Sequence, residues 1–185
     1  MIEGARWGPL MNIRGVFLGA VCVVSCFVLS GSAQSAQSMF LEISGVPGEV
    51  VTPAAFANQI AILSMSSGAS SPCGTGQVSL SSLNLMKVTD KATVKLSTAL
   101  RDHTVYPTAT LRFVRSSDGQ VYQTYQMNNA VVESLQSSGS SGGDDRNTES
   151  VSFVFAQLVV TYTFFDGSGK AAGSESMTFT SGSCP

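Results

Sequence analysis

The chain has 185 residues, 43% of them hydrophobic and only 12% charged, with 10 basic against 12 acidic residues and a net charge of −2. So sparse a charge, with no basic excess, excludes a protein held electrostatically to nucleic acid or to an anionic membrane surface. The length suits one domain with a sizeable core rather than several.

The first element is a leader. Residues 15–29 are apolar, Arg14 precedes them, and Gly31-Ser32-Ala33 places small residues where a signal peptidase reads. This is the pattern of a cleavable secretory signal, and the run is short for a spanning helix. Met11 offers an alternative start, since the residues before it add nothing a signal needs. Val23-Val24-Ser25-Cys26 is loosely like a lipobox, but the apolar run continues through Phe27-Val28-Leu29, where a lipidated cysteine would already be leaving the membrane. Residues 1–33 are therefore expected to be removed, leaving 34–185 as a single exported domain, periplasmic or extracellular, with no stable membrane insertion. Cys22 and Cys26 leave with the signal, whereas Cys73, in a Gly/Ser/Pro loop, and Cys184, one residue from the end, remain. An even pair of loop cysteines in an oxidising compartment predicts a disulfide tying the tail to the long loop.

Past the leader the hydrophobic period is mostly two. A helix interrupts it: after Thr89-Asp90, a good capping pair, Ala92, Leu96, Ala99 and Leu100 fall on one helical face and predict a helix over 91–101. Ala109, Leu111 and Phe113 then alternate with Thr110, Arg112 and Val114, which predicts a strand over 108–115 with one buried face. Ser117-Asp118-Gly119 signals a turn, 121–127 the returning arm of a hairpin, and 130–135 another short strand. Over 151–165, Val154, Ala156, Leu158, Val160, Tyr162 and Phe164 are apolar while Phe153, Phe155 and Val159 fall on the opposite face. That pattern predicts one long strand covered on both faces over part of its length, as in a barrel or at a subunit contact. Asp166-Gly167-Ser168-Gly169 and the run 175–180 make a last hairpin arm, within a C-terminal extension over 166–185.

Catalytic and metal chemistry find little support. His103 is the single histidine, and Asp102 beside it would not orient its ring, because adjacent side chains on a helix point apart. Gly139-Ser140-Ser141-Gly142-Gly143 satisfies a Gly-x-Ser-x-Gly pattern, but that motif needs a sharp turn from strand into helix, and here it precedes a strand. Cys73, His103 and Cys184 lack short ligand spacing, Asp144-Asp145 lacks the alternating oxygens of a calcium loop, and there is no phosphate-binding glycine fingerprint. No enzyme and no cofactor are expected.

The most distinctive stretch is Ser138-Gly139-Ser140-Ser141-Gly142-Gly143-Asp144-Asp145-Arg146-Asn147-Thr148-Glu149, a Gly/Ser loop that passes through a charge cluster into the strongest strand signal. Arg146 is placed to pair with Asp144, Asp145 or Glu149, and a pair buried on folding or at a subunit contact would make its planar fork hard to replace.

The run Gly142-Gly143-Asp144-Asp145-Arg146-Asn147-Thr148-Glu149-Ser150-Val151-Ser152-Phe153 resembles the corresponding segment of the Hcp family, the tube protein of bacterial type VI secretion. Tyr122-Gln123-Thr124-Tyr125-Gln126-Met127 and Val131-Val132-Glu133-Ser134 precede it in the order that family shows. His103-Thr104-Val105-Tyr106-Pro107 looks like the family's join from its single helix to the next strand, and Met39-Phe40-Leu41-Glu42-Ile43-Ser44-Gly45-Val46-Pro47-Gly48-Glu49 is similar to its first strand and turn. The resemblance covers about residues 39–163. It implies a mainly β fold, a compact antiparallel β-barrel or two packed sheets with one α-helix. It also implies a homo-oligomer, a hexameric ring that stacks into a hollow tube, with spike and effector proteins as further partners. On that reading Gly142, Gly143, Asp144, Asp145, Arg146 and Glu149 form a candidate assembly loop, within 137–146, and 66–77 is a second. Two features depart from the family: its tube subunits leave through the machine and need no cleavable signal, and this chain adds 166–185. Both leave room for a stand-alone exported binding module that keeps the barrel alone.

Overall fold

The computed structural model describes residues 37–71, 78–141 and 146–180; the expected signal segment 1–33, Cys73, Cys184 and Gly142-Gly143-Asp144-Asp145 lie outside them. In chain order come β1 (Gln37–Ile43), a 3-10 turn (Ala54–Phe56), β2 (Ile60–Ile62), β3 (Ser64–Ser66), β4 (Ala69–Ser70), β5 (Ser79–Leu80), β6 (Leu83–Val88) and α1 (Ala92–Asp102). There follow β7 (Val105–Arg115), β8 (Val121–Ser138), β9 (Thr148–Val154), β10 (Gln157–Phe165) and β11 (Ala171–Thr180).

Nine strands share one antiparallel sheet in the order β2-β1-β7-β8-β9-β6-β3, with β10 on β8 and β11 on β10, while β4 and β5 form a small separate ladder. The two ends of that order belong to one short stretch of chain. Ile60–Ile62 pairs with β1 and Ser64–Ser66 with β6, and between them the Leu63 N–H donates to the Met86 carbonyl at 2.7 Å. The sheet therefore curls back on itself around one core, as the alternating apolar residues demand: Leu41, Ile60, Leu83, Leu85, Leu111, Met127, Val132, Val151 and Phe153 are all buried within it. Each such aliphatic or aromatic side chain taken out of water contributes about 1.5–3 kcal/mol. The expected mainly β, barrel-like architecture with a single helix is what the chain adopts.

The run 151–165 corrects one expectation. It is not a single strand covered on both faces; it is β9 and β10, both paired to β8 and in one register across the junction from Val131–Val154 to Asn128–Gln157, interrupted at Phe155-Ala156. Inward-facing positions are odd in β9 (Val151, Phe153) and even in β10 (Leu158). β8 changes face at the same level, from odd (Met127) to even (Ala130, Val132), across Asn129, whose φ of 52° is left-handed. β7 does so across Pro107, between Tyr106 and Ala109. Three neighbouring strands thus switch their buried parity at one level, and this switch produces apolar residues of both parities without two covered faces. The same continuity merges the two expected strands at 121–127 and 130–135 into the single β8.

Helix α1 packs on β8 and buries Ala92, Leu96 and Ala99, the stripe expected from their spacing. Asp90 caps its start by accepting the Ala92 N–H on Oδ1 at 3.0 Å. His103 ends it in a left-handed conformation, φ 50°, and the Thr104 N–H closes back on the Ala99 carbonyl at 3.0 Å. Near the helix start the chain after β1 runs so close to Gln59 that a Cβ on Gly48 would sit 2.1 Å from the Gln59 carbonyl oxygen. Only glycine allows that approach, and it sets Glu49 beside the first turn of α1.

Candidate assembly surface

Lys87 and Glu149 are cross-strand partners on β6 and β9, next in line after Leu85–Val151 and Leu83–Phe153. By period they belong to the inner face, and both side chains are only 1% exposed. The Lys87 Nζ lies 2.9 Å from Glu149 Oε2 and 2.8 Å from Asp90 Oδ1, and it also donates to the Val88 carbonyl at 2.9 Å. Thr93 donates its hydroxyl to Glu149 Oε2 at 2.7 Å and Thr89 donates to Oε1 at 3.1 Å. Burial pushes the Glu149 carboxyl upward, but hydrogen bonds from Lys87, Thr93 and Thr89 and the lysine charge outweigh it, so its pKa lies below the ordinary value. Among the described residues every buried side-chain nitrogen and oxygen has a partner. This network clamps the end of β6, the start of β9 and the first turn of α1 together.

Arg146 belongs to a different cluster. Its Nη1 reaches Glu49 Oε2 at 3.2 Å, with the two side chains 57% and 47% exposed, and Glu49 Oε1 accepts the Lys91 N–H at 3.1 Å. The expected polar knot around Arg146 is therefore divided: Glu149 turns inward to Lys87, whereas Arg146 lies on the surface and pairs with Glu49, which itself ties its turn to the helix start. Asp144 and Asp145 lie outside the described residues, as do Gly142 and Gly143. Sequence reasoning missed Lys87, although a signal existed: Leu83, Leu85 and Lys87 share the inward period, and so do Glu149, Val151 and Phe153. Two opposite charges on facing apolar periods are the mark of a buried pair.

Exposed apolar side chains cluster on the hairpin of β10 and β11. Tyr162, Phe164 and Met177 are 50%, 43% and 60% exposed, on the face that continues the core side of Leu158. The Phe164 ring lies over its cross-strand partner Gly173, where a Cβ would come within 2.6 Å of it. Beyond β11 the sheet ends: among the described residues this ten-residue strand pairs only with β10, so one edge of backbone donors and acceptors is left open. Val51, Leu63 and Met86 are further exposed apolar positions. Of the two candidate loops, the described stem of 66–77 pairs Ala69–Ser70 with Ser79–Leu80, and Gly68 N–H donates to Ser81 Oγ at 2.7 Å. The loop 137–146 leaves β8 at Gly139, where a Cβ would meet the Asn147 side chain at 2.0 Å.

Asp102 and His103 do not act as a pair. Asp102 is held by Arg101 at 2.7 and 3.0 Å, exposed at the end of the helix, and His103 serves as its terminating residue. Among the described residues there is no group of three or more His, Cys, Asp or Glu that could hold a metal ion, and no helix long and apolar enough to cross a membrane.

The chain matches the family described as "Type VI secretion system effector, Hcp" over residues 40–162. It is 36% identical over 89 residues to the protein Hcp1 of Pseudomonas aeruginosa, covering 46% of this chain and 54% of that one. The chain thus spans about half the length of the curated relative it matches. Among solved structures, it is similar to one described as a type six secretion system protein, with 26% identity, a TM-score of 0.72, and coverage of 78% of this chain and 96% of that one. A second is Hcp1 from Salmonella typhimurium, which shares the fold at 23% identity and a TM-score of 0.67, covering 79% of this chain and 95% of that one. The family match extends from β1 through most of β10, with the strand pairing and the single helix described above, and by it the chain belongs to the Hcp family of type VI secretion proteins.

Proposed function

We propose that this chain is an exported tube subunit that self-associates into a hexameric ring, and that rings stack into a hollow tube able to carry effectors and to meet the spike of the secretion machine. The observation that carries the reading is the open edge of β11, flanked by exposed Tyr162, Phe164 and Met177. An edge of this length with apolar side chains beside it is a liability in an isolated molecule and a ready surface for another chain. A ring needs two different patches on each copy, and exposed Leu63, which lines one hollow with Glu49 and Arg146, marks a second. Loops 66–77 and 137–146 are the candidates for contact between subunits or rings. The size of the particle in solution tests the proposal.

A second reading, an exported binding module that keeps the barrel without the tube, draws on the leader at 1–33, which a subunit delivered by the machine itself would not need. A monomer at all concentrations would favour it.

A further inference from the structure

Three of the four tyrosines of the chain gather at one end of the barrel. The Phe113 ring lies 5.3 Å from Tyr125 and 6.1 Å from Tyr122, and Tyr122 meets Tyr162 edge-on at 6.4 Å. Outside this chain of rings lies an open cavity of about 270 Å³ lined by Gln37, Arg115, Tyr122, Tyr162 and Phe165. The Tyr122 hydroxyl donates to Gln37 Oε1. The Arg115 guanidinium rests 3.8 Å from the centre of the Phe165 ring, and its Nε and Nη2 both point to the Asp118 carboxylate, with Nε at 3.2 Å from Oδ1.

The chemistry of this cleft is selective. Its walls are mostly aromatic faces and edges, and one planar group, the guanidinium, already stacks on one of them. Arg115 gains its counter-charge from Asp118, so a ligand carboxylate would find that charge already answered, while a cationic ligand would meet Arg115 itself. The volume lies near the lower end of ligand cavities, about 300 Å³, and suits one ring system rather than an extended molecule. Burial raises the Tyr122 hydroxyl pKa, with Tyr162 and Tyr125 adding to it, so this phenol stays a neutral donor. We propose that this cleft binds a small, uncharged, planar aromatic ring bearing one hydrogen-bonding group, as a free compound or as an aromatic side chain of a peptide. The proposal does not require ring assembly, but it shares Tyr162 with the proposed assembly edge, so the titration is run on chain dilute enough to sediment as a monomer.

The test uses 19F NMR of the full chain labelled with 3-fluorotyrosine, titrated with indole, with N-acetyltryptophanamide and with cyclohexanol. Tyr106 is an internal control, since it lies nine residues along β7 from Arg115, about 30 Å away. Expected are saturable shifts at Tyr122 and Tyr162 with either aromatic probe, a stationary Tyr106, and no saturation with cyclohexanol. A response to indole alone assigns the site to free ring compounds, and a response to N-acetyltryptophanamide alone assigns it to peptide side chains; both support the cleft. Tyr162→Leu, at a half-exposed position, should weaken binding about tenfold without lowering the melting temperature. No saturable shift with either probe, an equal response at Tyr106, equal binding of cyclohexanol, or undiminished binding by Tyr162→Leu overturns the proposal.

Discussion

Lys87 and Glu149, 62 residues apart in the chain, face each other across two strands at 2.9 Å with neither more than 1% exposed. A buried pair of this kind is costly to break because the survivor keeps its charge without a counter-charge. Lys87→Ala is expected to destabilise the fold by roughly 3–5 kcal/mol in urea unfolding. The combination Lys87→Met, Glu149→Leu and Asp90→Asn, which removes the buried charges together, should recover most of that loss. A single substitution costing under about 1 kcal/mol would show that the pair is solvated in solution.

The pH dependence follows from the depressed Glu149 pKa. The folded state holds its proton less tightly than the unfolded chain, so the stabilisation is fully present above the ordinary carboxylate value, about 4.3, and is lost as pH falls through the folded value. Urea midpoints should be flat from neutral pH to about 5 and then fall, and Glu149→Gln should make the fall shallower. An equally steep fall in that variant would place the acid sensitivity elsewhere.

Arg146 makes an exposed ion pair, and such pairs contribute little to folding, about 0–1 kcal/mol. Arg146→Ala is therefore expected to leave urea unfolding of dilute protein unchanged within about 1 kcal/mol while shifting the particle distribution of concentrated protein toward monomer. A large loss of folding stability would contradict the surface placement, and an unchanged distribution would remove this residue from the assembly surface.

The contrast between these residues shows what was legible in the chain. Helix α1 was readable from Ala92, Leu96 and Ala99 and from Asp90, since helical period and capping are local. The β7–β8 turn was readable from Asp118 and Gly119, the latter at φ 71°. Within the charged cluster, Glu149 was misassigned because proximity in the chain suggested Arg146 as its partner, whereas register between strands far apart decides pairing and brings Lys87 to Glu149. The switch of buried parity at Pro107, Asn129 and Ala156 was hidden for a related reason: it involves three strands at one level, whereas in the chain it reads as one two-faced strand over 151–165, two short strands over 121–135 and a strand starting at 108. The split of 151–165 into two strands follows from the same geometry.

Export makes a chemical prediction. Protein recovered from the periplasm or medium should begin at Gln34, without lipid, and Cys73 and Cys184 should titrate as no free thiol until reduced. Mass spectrometry finding an intact Met11 or a lipid on Cys26 would contradict the cleavable signal. Two reactive thiols in unfolded, unreduced protein would contradict the bridge.

The central proposal, that this Hcp-family chain is a ring-forming subunit, is tested most directly by sedimentation of the purified chain across a range of protein and salt concentrations. A closed species of six chains is expected to persist at moderate salt, because its contacts are sheet edge and apolar surface rather than ion pairs, and to weaken when Phe164 and Met177 are replaced by serine. A monodisperse monomer at every concentration, unaffected by those replacements, would contradict it.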